Sequence, residues 1–376
     1  MQSYDWTSTI KINILILRIV GLWPQEHGYS LNFYTFYAIL SVGICGFAQS
    51  FFQTVKLFGN LNDLEIVTGT AFLCFSELLV VLKMFYLARN IKTFKLLLVT
   101  LNSDMFQPTS EQIKLVLPDL KLWKLMYKLL WCSISVAIVF WSLVPIVDTS
   151  FQERQLPFLA WYPFDAKTSP FFEMTYIHQT VSICYITAVN VNLDTLIAAM
   201  SMYTGAQLDI LSNNLRKLRP EEFEEELTRC VEHHKEIVKF AKTFNSAFNW
   251  TIFVQFFASA ISIGFSMFLM TIVVPFSKEF VSYTFYGTSA FLEIFIYCWF
   301  GNEVQVKSNE VPLAAYESNW MEASKGAKKN LILFMMNAQR SLRISALNLF
   351  DLSLENFLKI LKSSWSYFAL VSQLNE

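Results

Sequence analysis

Three carboxylates stand inside otherwise apolar tracts: Glu77, Asp194 and Glu293. An ionisable group in such a tract is costly against lipid, so it pairs with a neighbouring helix, stays protonated or serves a function. The surrounding residues name no partner, and a structural role is the reading favoured here. His233 and His234 invite a metal reading, but neighbours on a helix diverge by about 100°. No acid-and-histidine pattern surrounds the pair, so a solvated helix face is expected. Five of the six cysteines (Cys45, Cys74, Cys132, Cys184, Cys298) fall in apolar tracts and only Cys230 in a charged segment. Neither a disulfide framework nor a zinc site is expected from that distribution. Near the end of the chain Ser363, Ser366, Leu370 and Gln373 fall at i, i+3, i+7 and i+10, one stripe of a helix. Polar groups there face protein or water, and the two serines fit close helix packing equally well. No nucleophile–base or acid–base constellation appears, so neither an enzyme nor a cofactor is expected.

The elements that carry these residues are membrane spans. Hydrophobic residues make up 54% of the chain and charged residues 16%, against about 25% charged in soluble domains. A window of about 20 residues places seven spans near 31–56, 64–88, 125–147, 171–200, 247–275, 282–303 and 350–372. The segment 221–248 mixes acids and bases with Leu227, Val231, Ile237 and Val238 at helical spacing, and should continue its neighbours as helix below the membrane. The apolar run Ile12–Leu22, broken by Arg18, is too short to span; an interfacial helix is expected, and no signal peptide. The expected divisions are an N-terminal segment 1–30 with that helix, spans one to four over 31–203, and a cytoplasmic helical anchor segment over 204–246. Spans five and six follow over 247–303, then an anchor helix over 304–349 and a seventh, pore-lining span over 350–376.

Charge sets the orientation. Twenty-two Lys and Arg lie in 1–30, 89–128, 204–242 and 303–343, against four in the alternate connections. The positive-inside rule then puts the N-terminus in the cytoplasm and the C-terminus outside. A G-protein-coupled receptor has the opposite orientation, and its Asp-Arg-Tyr and Asn-Pro-x-x-Tyr motifs are missing here. A secondary transporter would show inverted repeats or Gly/Pro-broken spans in matching halves, which the sequence lacks. The sequon Asn249-Trp250-Thr251 opens a span on the cytoplasmic side and is expected to stay unglycosylated.

The last third of the chain carries a signature. It runs from Tyr297-Cys298 and Gly301-Asn302-Glu303 through Ser308, Ala315-Tyr316, Ser318-x-Trp320 and Ala338-Gln339. It ends with Phe350-x-Leu352-Ser353-Leu354, Phe357, Ile360-Leu361-Lys362 and Ser366-Tyr367-Phe368. This stretch, with "GLWP" at 21–24 and "WYPFD" at 161–165, resembles the insect odorant receptors; Arg340 departs from it, standing where a proline is common. The resemblance implies an all-α membrane protein of seven transmembrane helices with a cytoplasmic helical anchor domain. It further implies a ligand-gated, non-selective cation channel built as a heterotetramer with an odorant receptor co-receptor. The connection between spans four and five is only about 40 residues, whereas the co-receptor's is extended, so the chain resembles a tuning subunit. The expected place is the plasma membrane of an olfactory neuron's dendrite, among membrane lipids, a small volatile odorant and permeating cations, with no nucleic acid. A gustatory-type channel subunit is the nearest alternative.

The same resemblance places a ligand in the outer half of the bundle, between spans two and six. Candidate lining residues there are Phe72, Phe75, Ile134, Ala137, Trp141, Met174, Ile177, His178, Phe265, Phe268, Tyr283 and Tyr286. Apolar walls with a few hydroxyl or imidazole groups suit a small volatile, although aromatic stripes in spans are more often packing; His178 is read as a ligand contact, with bonding within the bundle as the alternative. The end of the family's seventh helix lines the pore, which implies Ser366, Leu370, Gln373 and Leu374 as pore and gate residues. A hydrophobic ring closes a pore by dewetting, and a polar neighbour eases ion passage.

Overall fold

The computed structural model describes residues 4–26, 28–60, 64–147 and 153–375; the side chains of 64–69, Phe72, Val147, Tyr367, Val371, Ser372, Leu374 and Asn375 fall outside that description. The chain folds into α1 (Lys11–Ile19), α2 (Phe33–Gly59), α3 (Leu64–Leu101), α4 (Ser110–Ile146) and α5 (Phe171–Arg216). They are followed by α6 (Phe223–Ile272), α7 (Lys278–Tyr316), α8 (Lys325–Ala338) and α9 (Leu354–Asn375). Polar residues mark several starts. Asn32 accepts from the Thr35 amide, Thr109 and Gln112 form a capping box, and Ser277 and Ser324 accept from Phe280 and Ala327, each satisfying amides that a first turn leaves orphaned.

The seven expected spans lie in α2 to α7 and α9. Among the described residues, four of these helices, α2, α4, α5 and α6, are long and apolar enough to cross a membrane by length and composition alone. The other three carry polar groups along the same stretch: Glu77 and Lys83 in α3, Glu293 and a run of hydroxyls in α7, and Lys359, Lys362 and serines in α9. The expected helix over 221–248 is the first half of α6. α5 is the hub; it is buried nearly all round from Asn192 to Leu208 and packs against α1, α4, α6 and α7.

At the end of the bundle that holds the basic connections, α3, α5, α6 and α7 continue past the spans and pack on one another. Trp6 donates its indole N–H to Phe106 O (3.1 Å), and Tyr203 donates to Trp6 O (2.8 Å), tying the N-terminus to α5. α1 lies on α5 through Asn13, which donates to Thr195 (2.8 Å), while Ile12, Leu15 and Ile19 remain exposed on its far side. That divided face suits the expected interfacial helix. Lys307 joins α7 to Asp119 of α4 and Asp209 of α5 (2.7 Å to the latter). Burial pulls its pKa down, but Asp209 and Asp119 together outweigh that and raise it.

His233 is not on a solvated face. It is buried, with Nε2 3.0 Å from Gln207 Oε1 of α5, and burial, with His234 beside it, depresses its pKa to about 4. Its neighbour His234 stacks edge-on against Phe334 of α8. The described cysteines are free.

Two close approaches need glycine. Gly21 has φ +88, and a Cβ there would lie 2.8 Å from Ala38 Cα, so α1 can turn back onto α2 only without a side chain. A Cβ on Gly301 of α7 would stand 2.2 Å from Leu352 Cβ and 2.7 Å from Leu352 O. That contact seats the short antiparallel pair β1 (Ser345–Ala346) and β2 (Phe350–Asp351), register Ser345↔Asp351, at the base of α9.

Candidate functional site

Five helices of the bundle converge on one cavity of about 60 Å³. Each presents a single face at the i, i+3/i+4, i+7 spacing of a helix: Leu73, Ser76, Glu77, Val80 and Lys83 from α3, and Ile134, Ile138 and Trp141 from α4. α5 gives Ile183, Ile186, Thr187 and Asn190; α6 gives Gln255, Ala258, Ser259 and Ser262; α7 gives Tyr286, Ser289, Ala290 and Glu293. The helices alternate in direction, so Lys83, Asn190, Gln255 and Glu293 all fall at the end nearer the basic connections and form a polar floor. Walls of Ile, Leu, Val and hydroxyls rise from it to a roof at Trp141 and Tyr286.

The floor is a closed hydrogen-bond network. Lys83 donates to Asp194 (2.8 and 2.9 Å), to Asn190 Oδ1 (2.7 Å) and to Gln255 Oε1, which uses its three protons. Tyr297 adds a donor to Asp194 (2.9 Å). The two amides pass the charge on: Asn190 Nδ2 and Gln255 Nε2 donate to the two oxygens of Glu293 (2.8 and 2.9 Å). Each of the three carboxylates thus finds a partner on another helix: Lys83, six residues after Glu77 in the sequence, pairs with Asp194 directly and reaches Glu293 through the two amides. Glu77 itself accepts from Gln53 Nε2 of α2 (3.0 Å).

Beyond the roof lies an open recess of about 400 Å³, lined among others by Gln53, Leu73, Trp141, Phe158, Leu269 and Tyr283. Trp141 separates the two spaces, with Phe158, Tyr283 and Tyr286 at 6.1, 6.1 and 5.6 Å between ring centroids. Gln179 fixes the covering loop by bonding both backbone groups of Phe158 (3.0 Å each). The widened turn at Val139–Leu143 of α4 supports the same region, its Ser142 O accepting from Tyr176 (2.9 Å).

The structure brings Ile134, Trp141 and Tyr286 together around the cavity and sets Tyr283 on the recess. Others are elsewhere. Met174 and Ile177 are 65% and 63% exposed and point away from the bundle. His178 donates from Nε2 to Ile44 O of α2 (3.0 Å), a carbonyl in that helix's widened turn Val42–Ala48, so it packs rather than lines. Ala137 is buried beside the cavity face, and Phe75 is half-buried off it. Phe265 and Phe268 pack in the core beyond the lining of α6. Phe72 lies outside the described side chains. The difference between these positions and the cavity lining has one cause: the cavity sits deeper than the outer ends, so α5 faces it with 183–190, about two to three turns further in, and α6 with 255–262.

α9 packs on α6, to whose Ala260 O the Ser364 hydroxyl donates (3.0 Å). Ser366, Leu370 and Gln373 are exposed. Ser363 and Ser366 donate to backbone oxygens one turn earlier (3.0 Å each), so neither hydroxyl depends on water. The Leu374 side chain is outside the described residues.

Comparison with known proteins gives a consistent set of relatives. A family model described as "7tm Odorant receptor" matches residues 64–365. Odorant receptor Or1 of Anopheles gambiae is 24% identical, covering 99% of this chain and 97% of that protein. Odorant receptor 13a of Drosophila melanogaster is 25% identical, covering 98% and 96%. Among solved structures, the insect olfactory receptor OR5 from Machilis hrabei in complex with eugenol superposes with a TM-score of 0.88 at 19% identity. It covers 99% of this chain and 100% of that one, which establishes a shared fold.

Proposed function

The chain belongs to the odorant receptor family, and from that premise we propose that it is the odorant-binding subunit of a ligand-gated, non-selective cation channel assembled with an odorant receptor co-receptor. The observation that carries the ligand site is the cavity among α3 to α7, with apolar walls and a polar floor. Such a space suits a small volatile, whose apolar surface fills the walls while one polar group fixes its orientation. The recess beyond Trp141 is its route in from outside, given the cytoplasmic N-terminus that the charge asymmetry supports. α9 supplies the pore face through Leu370 and Gln373. The chain is a multi-pass membrane protein, and we place it in the plasma membrane of an olfactory neuron's dendrite.

Expression with and without the co-receptor tests the assembly. Robust odour-evoked current is expected with it and little without, read by whole-cell recording under a panel of volatiles. Equal currents in the two conditions would show that the chain needs no co-receptor.

Trp141→Ala tests the cavity. Removing the roof deletes the contacts with Phe158, Tyr283 and Tyr286 and joins cavity to recess. Losing an aromatic wall costs the bound state on the order of 1–3 kcal/mol, so the half-activating concentration should rise at least several-fold while surface labelling stays near wild type. An unchanged dose–response curve at normal surface level removes Trp141 from the ligand site.

A further inference from the structure

One acceptor in the cavity wall is left open by the protein. The Lys83 network closes on itself, and both oxygens of Glu293 are occupied within it. Glu77 is different. It is buried, it lines the cavity one turn out from the floor, and only one of its oxygens is bonded, by Gln53. Glu77 Oε2 has no hydrogen-bond partner among the described residues, and neither has Gln53 Oε1, on the recess side. Ser50, the other hydroxyl close to the carboxyl, donates its proton to Gly46 O (3.0 Å). A buried carboxyl oxygen left unpaired is expensive, and this one belongs to a side chain that faces the space a ligand would fill.

We propose that Glu77 is the polar anchor of the cavity and that the ligand it selects is a small aliphatic volatile bearing a hydroxyl group. The inference rests on reading this cavity as the odorant site. A hydroxyl can donate to Glu77 Oε2, the acceptor that the described residues leave open. An ether or ketone offers only acceptors and meets an ionised carboxylate unfavourably, and an alkane leaves Oε2 dry and unpaired. The apolar walls above the floor, Leu73, Val80, Ile134, Ile138, Ile183 and Ile186, hold the carbon chain. A site built to bond a hydroxyl discriminates strongly against an analogue without one, because the site's own buried group is then stranded.

The test uses straight-chain primary alcohols from butanol to octanol, with the methyl ether, methyl ketone and alkane of matching length. Two readouts are taken: current in cells that also express the co-receptor, and thermal unfolding of the purified chain in detergent. The wild type should prefer the best alcohol over its ether and alkane by roughly ten- to a hundredfold in half-activating concentration. Glu77→Leu should abolish that preference and leave the alkane's potency in place. Glu77→Gln, which keeps a partner for Gln53 and so guards against misfolding, should fall between them. Loss of potency shared equally by all four compound classes in Glu77→Gln would make Glu77 a packing residue and overturn the proposal, as would ketones matching alcohols in the wild type. Activation and stabilisation by other volatiles with none by any alcohol overturns this inference alone. Absence of current with every volatile, co-receptor present, overturns the odorant-receptor reading with it.

Discussion

Lys83→Met should remove most of the folded receptor from the cell surface. The methionine fills a similar volume but leaves Asp194, among the described residues, with Tyr297 alone as donor, and it strips Asn190 Oδ1 and Gln255 Oε1 of their shared proton source. Breaking a buried ion pair by deleting one partner costs about 3–5 kcal/mol, out of a typical total stability of about 5–15 kcal/mol. Four helices, α3, α5, α6 and α7, meet at this network, so the loss is global. Surface labelling should drop to a small fraction of wild type, and the melting temperature of any purified chain should fall. Adding Asp194→Asn to the Lys83→Met background should recover part of both, since it removes the stranded charge; a double mutant no better than the single would mean that the charge was not the problem. Wild-type surface level and melting in Lys83→Met alone would dismiss the network as a stabilising element.

The helices that carry the seven expected spans were legible because the signal, the length of an apolar tract, is local; the side on which Lys and Arg accumulate gives the expected orientation. The partners of the intramembrane carboxylates were not, because Lys83 and Asp194 are 111 residues apart and only the packing of α3 against α5 brings them together. Lys83 itself stands in the sequence as a cation inside a span, but nothing local pairs it with a carboxylate on another helix. Ile134, Trp141 and Tyr286 were reachable since α4 and α7 turn toward the cavity near the expected depth. Met174, Ile177 and His178 were not excluded by any local pattern; the rotation of α5 is set by its neighbours along its buried inner length, and its outer turns follow. His233 could have been read correctly. It falls three residues after Cys230 and four before Ile237, both buried, on the stripe that continues to Phe240 and Phe244, and the charged flanks obscured that period.

The second large effect is expected at the end of α9. Ser364 faces α6, with its hydroxyl on Ala260 O, and Phe357 is buried on the same side. At about 100° per residue, Gln373 lies nine positions on from Ser364 and so on the opposite side of the helix. Leu370 is 55% exposed and close to that open side. In a membrane an open face meets lipid, a neighbouring subunit or water, and a glutamine is costly in the first. On the proposed channel reading this face lines the conduction path, with Leu370 as the apolar constriction and Gln373 as the polar collar outside it. Leu370→Ser should let water wet the closed constriction, so basal current without odour should rise several-fold relative to wild type. Gln373→Leu should act in the other direction: a longer apolar collar is harder to hydrate, so unitary conductance falls while the half-activating concentration stays nearly fixed. Trp141→Ala should show the reverse division, shifting sensitivity and leaving conductance alone. Co-receptor copies contribute their own residues to the ring and dilute each effect by their share. If Gln373→Leu shifts sensitivity and leaves conductance and ion preference untouched, Gln373 packs against protein and the pore lies along another face of α9.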